Sequence, residues 1–360
     1  MVVIPIWQQQ PEDFFEEAVI DFDGSLAPTD GECKEGIGLS YKGEWGYHPR
    51  NVKKSKHRNV ETHKSGMGIA SGFDFLTFRR FDVSLCRRGG FKKVLLRGDT
   101  DFSQTAYLDG WDGQGVRFLF GIDARPNLVE IAENLPKSAW KSLIRKAPYE
   151  VKTQRRQRPE NVKERIVIEK ESSNIKLQSE QTAEFAYRPT ACKKTYRVVV
   201  LRKNLSVEKG EKVLFDDLKY FFYITNDIVS DGDTLVATAN GRCNQENLIE
   251  QLKNGVHALR MPVGDLVSNG AYMVMASLAW TLKAWFALLL PQKGRWKDKH
   301  RREKDSVLSM EFKRFVNVFV RMPALVMRTG RRLVFQLLSW NPWQDVFLRG
   351  VDALRTPLRM

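Results

Sequence analysis

Cysteine is scarce in this 360-residue chain, and what there is lies scattered. Cys33, Cys86, Cys192 and Cys243 stand far apart and none forms a Cys-x-x-Cys pair. That spacing argues against a zinc ribbon and against a small fold stapled by disulfides. The five histidines show no zinc-ligand spacing either. No secretory signal is read ahead of the cysteines, so the thiols are expected to be reduced, in a cytoplasmic protein. No internal repeat is found, which excludes a solenoid. Carboxylates are the minority charge: 43 Asp and Glu against 58 Lys and Arg leave +15. Such an excess favours a polyanionic partner, either nucleic acid or an acidic membrane surface.

The excess is concentrated. Pro291 to Met360 holds 16 Lys and Arg against 6 Asp and Glu, which is +10 of the +15. Neutralising phosphates and releasing their counterions requires cations gathered in this way. One apolar stretch, Ala271 to Leu290, is long enough to span a bilayer. Lys283 sits near its middle, where a charge is costly, so a core helix is expected and no membrane partner. Hydrophobic residues at 42% and charged residues at 28% suit a globular chain of two or three domain-sized units.

Along the chain, A-V-I-D-F-D-G-S from Ala18 reads as a buried strand and its exit. Gly36 to Tyr47 resembles one or two further strands. Asn51 to Gly72 is basic, then rich in Gly and Ser, and reads as a loop. Phe91 to Leu96 is a second strand, leading into R-G-D-T-D-F, and Val116 to Gly121 is a third. Ser103 to Trp111 suits a short helix, and Val129 to Ile144 suits helices interrupted at Pro136. From Tyr149 to Asn226 the period is two, as in Arg165 to Ile168, Tyr196 to Leu201 and Tyr220 to Thr225. From Leu235 the text is helical almost to the end, with breaks near Gly270, Pro291, Pro323 and Asn341-Pro342.

Two of these strands end in acids: Asp21 and Asp23, then Asp99 and Asp101. Carboxylates at the ends of neighbouring strands can converge, and an oxygen-only donor set suits Mg²⁺ or Mn²⁺. Two such ions about 3.5–4 Å apart can activate a nucleophile and stabilise a leaving oxygen at phosphorus. Taken singly, Asp-Gly and Asp-Thr are also common turn formers. A third element is A-N-G-R-C-N-Q-E-N-L-I-E-Q-L-K-N-G. On a helix at about 100° per residue, Arg242, Glu246 and Lys253 share one face and Leu248 and Leu252 the other. That face could bind a metal while its cations grip phosphate, or be an ordinary solvated face with paired charges.

With these residues in view, the chain resembles DDE insertion-sequence transposases that carry the Tyr-Arg-Glu-Lys signature, spaced Y-x2-R-x3-E-x6-K. Arg242, Glu246 and Lys253 match it, and Ala239 stands in the Tyr position. Asp23 in D-G-S and Asp99 in R-G-D-T-D-F match the contexts of the two aspartates. The resemblance runs from about Ile6 to Pro49 and from Cys86 to the C-terminus, including R-P-T-A-C-K-K-T-Y-R, N-L-I-E-Q-L-K-N-G and L-L-S-W-N-P-W.

The resemblance implies an α/β, ribonuclease-H-like mixed sheet with a β-rich insertion before the catalytic Glu helix and a helical C-terminal region. The expected divisions are 1–148 (with 50–82 atypical), 149–226 as the insertion, 227–290, and a basic helical 291–360. It implies Asp23, Asp99 and Glu246 as catalytic metal ligands, with two Mg²⁺ or Mn²⁺ ions. The activity implied is hydrolysis at a transposon end and strand transfer into target DNA, by a homodimer when active. Arg242 and Lys253 would position the strand. Lys293, Arg295, Lys297, Lys299, Arg301 and Arg302, within the basic stretch Lys293 to Lys304, are the expected DNA-binding surface. Only about twenty residues precede Asp23, so an N-terminally truncated copy is expected. The alternative is a vestigial, catalytically inactive DNA-binding copy, to which the atypical 50–82 segment would contribute.

Overall fold

Ala18, Ile20 and Phe22 alternate along E-A-V-I-D-F-D-G and all three are buried, so the chain extends there as strand β1 (Glu17–Gly24). The computed structural model describes residues 3–24, 26–40, 43–47, 49–55, 66–67, 83–100, 103–145, 162–209, 212–241, 249–338 and 340–355. The chain divides into two units, one of Met1–Leu95 with Cys243–Met360, the other of Leu96–Arg242.

In the first segment of the first unit, β2 (Ala27–Pro28), β3 (Gly38–Leu39) and β4 (Trp45–Tyr47) make a small sheet in the order β2-β4-β3. β5 (Pro49–Ser55) lies antiparallel to β1, with Asp21 opposite Lys53 and Asp23 opposite Asn51. β6 (Gly66–Met67) pairs with β5. The loop expected from Asn51 is therefore a strand over its first five residues. β1 supplies the ladder that P-R-N-V-K-K-S lacks the apolar alternation to announce. A helix over 83–88 precedes β7 (Lys93–Gly98), and the order is β6-β5-β1-β7. The division between units falls inside β7.

The second unit takes up β7 and adds β8 (Arg117–Ile122), β9 (Lys141–Ser142), β10 (Ser173–Tyr187), β11 (Tyr196–Lys209) and β12 (Lys212–Thr225), in the order β7-β8-β12-β11-β10-β9. β10, β11 and β12 form an antiparallel meander that joins β8 through β12. Val198, Val199, Val200 and Leu201 are buried in succession, so both faces of β11 are covered at that end. Against this sheet pack the helices Leu108–Gly113 and Gly232–Asn240, with Trp111 5.6 Å from Phe120 and Tyr196 5.3 Å from Phe118 between ring centroids. Each such buried side chain contributes roughly 1.5–3 kcal/mol. Within the period-two block one expectation is corrected. Arg165 to Ile168 lies in a helix, Val162–Glu169, where only Val167 is buried and Arg165 pairs with Glu169 one turn on.

The second segment of the first unit is mainly helical. The helix Leu266–Leu289 runs through Gly270 without the expected break. It is long and apolar enough to cross a membrane by length and composition. Its Lys283 is nonetheless enclosed by protein: Nζ donates to Met310 O at 2.7 Å and lies 4.9 Å from the centre of the Trp280 ring. Trp280 itself is buried with Met273, Leu252, Tyr47 and Ala27, and Asn269 Nδ2 donates to Tyr47 Oη at 3.1 Å. The helices Lys297–Ser309 and Gln344–Arg355 follow. The expectation of helix from Leu235 almost to the end fails between them, at the hairpin β13 (Ala324–Thr329) and β14 (Arg332–Leu337). Gly330, at φ +55°, turns the chain there and apolar A-L-V-M and L-V-F extend on either side. The whole is a mixed α/β fold with a large sheet.

Candidate functional site

Asp99 follows directly on the last residue of β7, and its carboxyl-bearing residue is half-buried. The strand before it is apolar and buried from Val94 to Leu96, which fixes where it ends. Gly121 of β8 lies against the same turn: a Cβ there would stand 3.4–3.6 Å from the backbone of Thr100 and Asp99. Ser103 Oγ donates to Thr100 O at 2.9 Å.

The residue two before Asp99 is one that sequence reasoning missed. Arg97 is a buried cation inside an apolar strand. Its Nη1 donates to Thr238 O at 2.5 Å, in the last turn of the helix Gly232–Asn240. A guanidinium at a helix C-terminus satisfies an orphan carbonyl and complements the helix dipole. At the other end Asp231 caps the helix, accepting from Thr234 N at 2.6 Å. A Cβ on Gly241 would meet Arg97 Nη1 at 2.9 Å, so the glycine leaves room for the contact. Arg97 thereby ties the strand that delivers Asp99 to the helix Gly232–Asn240. The only signal in the sequence was a charged residue where a strand core was expected.

The remaining expected site residues fall as follows. Asp23 lies in β1, opposite Asn51, and its side chain is outside what is described. Asp21, two residues earlier, is buried. Arg242 and Glu246 lie outside the described residues. Lys253 is exposed, but not on the regular α-helix expected for it. Gln251–Gly255 winds as a π-helical turn. Gln251 Oε1 accepts from Trp280 Nε1 and Phe312 N, both at 3.3 Å, and Leu252 is buried in the cluster around Trp280. Among the described residues no group of three or more His, Cys, Asp or Glu could hold a metal ion.

Of the basic segment, Lys293, Arg295, Lys297, Lys299, Arg301 and Arg302 are all exposed. Lys299 pairs with Glu303 at 3.6 Å, and Arg295 lies 5.5 Å from the centre of the Trp296 ring. The last cation of the stretch is a correction. Lys304 turns inward, its Nζ donating to Gln10 Oε1 at 2.8 Å and Leu288 O at 3.1 Å, and burial pushes its ammonium down to about 8. A residue so placed makes no contact with phosphate.

R-P-T-A-C-K-K-T-Y-R proves to be scaffold. Asp109 accepts from Lys193 N at 2.6 Å and Tyr196 Oη at 2.7 Å, and Cys192 Sγ donates to Thr105 O at 3.0 Å. The Tyr196 hydroxyl and then Lys193 N hold the Asp109 carboxyl below its usual value. Among the described residues Cys33, Cys86 and Cys192 stand outside any disulfide.

A mixed α/β chain with aspartates at or beyond the ends of sheet strands is the class defined so far. The chain belongs to the transposase DDE domain group 1 family, whose match runs over residues 4–358. A cryo-EM structure of the piggyBac transposase synaptic complex with hairpin DNA is similar at 9% identity and a TM-score of 0.38, over 85% of this chain and 55% of that one. This chain thus spans about half the length of that transposase. No curated protein matches.

Proposed function

We propose that this chain is a transposase catalytic domain that cleaves DNA at a transposon end and joins the freed 3′-OH to target DNA. The reading rests on family membership across residues 4–358. The observation that carries it in the structure is Asp99 presented at the end of β7, two residues after the Arg97 tie. DDE transposases use divalent metals, and the half-buried Asp99, with Asp23 and Glu246, offers an oxygen-only donor set that suits Mg²⁺ or Mn²⁺. Two ions held by those three carboxylates would supply a nucleophilic oxygen and stabilisation of the leaving oxygen.

The chain's own residues do the rest. Asp23, Asp99 and Glu246 hold the charge centre in place. Arg97 fixes the Asp99 strand against the helix Gly232–Asn240, so it is a positioning residue. Arg242 and Lys253 orient the scissile strand through its phosphates. Lys293, Arg295, Lys297, Lys299, Arg301 and Arg302 bind the flanking DNA, and paired-end chemistry calls for a homodimer. A ribonuclease-H-like core over 1–148 and 227–290, with 149–226 as its insertion and 291–360 as a basic arm, and a cytoplasmic location belong to the same reading.

The test is nicking of supercoiled plasmid by the purified chain with Mn²⁺, beside Asp99→Ala and Glu246→Ala. Metal-dependent nicking that both substitutions abolish is the expected result. A folded, DNA-binding protein that never nicks would overturn the catalytic reading in favour of a vestigial copy.

A further inference from the structure

The hairpin β13–β14 carries apolar side chains on both of its faces. Its register pairs Val326 with Phe335 and Arg328 with Leu333 on one face, and Met327 with Val334 and Thr329 with Arg332 on the other. Phe335 is 63% exposed and Leu333 58%, while Leu325, on the opposite face, is 46% exposed. The sheet has two strands only, so both edges are open among the described residues. A lone hairpin of this kind is marginal in water. Its base is nevertheless fixed: Leu338 N donates to Pro323 O at 3.0 Å, Asn341 Nδ2 donates to Val318 O at 2.9 Å, and Trp343 packs edge-on to Phe319.

Charge identifies what the hairpin meets. Between Phe312 and Gln344 there are six Lys and Arg and no Asp or Glu. Three of the six, Arg328, Arg331 and Arg332, surround the turn and are exposed, and none makes an ion pair with a described residue. Arg328 and Arg332 leave the ribbon from opposite faces, with Arg331 in the turn beside Gly330. A flat partner would meet cations on one face. A duplex groove has phosphates on both walls and suits cations on both faces and at the tip. The major groove, about 12 Å wide, admits a two-stranded ribbon, and six-residue strands reach roughly 20 Å.

We propose that residues 324–337 form a DNA-binding ribbon that enters a duplex groove. Arg328, Arg331 and Arg332 neutralise phosphates on the two walls, and the apolar side chains between them fill the width of the groove. The assignment rests on the transposase reading for its partner and extends it to an element that the basic helix does not include.

The experiment is fluorescence anisotropy of the full chain on a labelled duplex across a salt series. The chain is compared with Arg328→Gln/Arg331→Gln/Arg332→Gln and with Lys297→Gln/Lys299→Gln/Arg301→Gln/Arg302→Gln. The hairpin variant is expected to unfold at the wild-type temperature and to lose about two to three from the slope of log K against log salt. If it keeps the wild-type slope while the helix variant flattens it, DNA binding stands and the ribbon assignment falls. If the wild-type chain binds no duplex at low salt, both fall. Sedimentation of Leu333→Ser/Phe335→Ser covers the other occupant. A dimer that these changes convert to monomer, with the slope of the arginine variant unmoved, gives the hairpin to a second copy and overturns the proposal.

Discussion

Arg97 and Lys304 are both buried cations, and they do opposite things. Arg97 satisfies the carbonyl of Thr238, so truncating it leaves a helix end unsupported behind Asp99. A lost charge-assisted hydrogen bond costs roughly 1.5–3 kcal/mol. Arg97→Ala is expected to slow nicking about 10–100-fold with DNA affinity unchanged, and Arg97→Lys to recover part of the rate. A parallel loss of affinity would show a general unfolding instead. Lys304 is destabilised by its own charge. Its folded value is depressed to about 8 from 10.5 by burial, against a small opposing pull from Asp305. Between those values the unfolded chain binds the extra proton, so this group makes stability rise with pH across that window and costs on the order of 3 kcal/mol below it. Lys304→Met should flatten the stability profile between pH 8 and 10.5 in urea titrations. The place of Asp99 at a strand exit was legible at this scale because the apolar run Val94–Leu96 leads into Gly-Asp-Thr. Arg97 and Lys304 were not, since a cation is read as solvent-facing until the carbonyl that receives it is known.

At the scale of elements, the junction between β12 and the helix Gly232–Asn240 depends on Asp227. Its carboxylate accepts from Val229 N at 2.9 Å, Ser230 N at 3.0 Å and Ser230 Oγ at 2.7 Å, and it pairs with Arg117. Burial works to raise its pKa, but these donors together outweigh burial and hold the carboxyl far below the usual range. A depressed carboxylate contributes stability above its unfolded value that is lost as pH falls toward the folded one. Asp227→Ala is therefore expected to lower stability at neutral pH by about 1.5–3 kcal/mol. It should also make the urea midpoint less sensitive to acid below about pH 4. The strands β1, β7 and β8 were legible because buried apolar residues cluster within each of them. β5 was hidden because its neighbour, not its composition, makes it a strand. Val162–Glu169 was misread because R-I-V-I alternates over so short a span that either period fits. β13–β14 was hidden because L-V-M and L-V-F fit a helix face as well as a ribbon until Gly330 is seen turning the chain.

Across the whole molecule, the class of fold and the family were readable because the matching text is spread over nearly the full length. The helix Leu266–Leu289 is the feature that composition alone would misassign. With Lys283 enclosed by Met310, Leu308 and Trp280, the chain is expected to be released from a membrane fraction by alkaline carbonate. Retention in the extracted pellet would contradict a core role for that helix. The division of the chain has a consequence for its synthesis. Leu96–Arg242 is one continuous unit, while the other is assembled from segments on either side of it. A ribosome therefore finishes the later-starting unit first. Met1–Leu95, with β1 and its apolar row, must wait for Cys243–Met360, an interval of roughly 10–50 s at ordinary elongation rates. Met1–Leu95 thus needs protection while the unit after it is completed, and slower translation beyond Arg242 would lengthen its exposure to chaperones, proteases and other nascent chains.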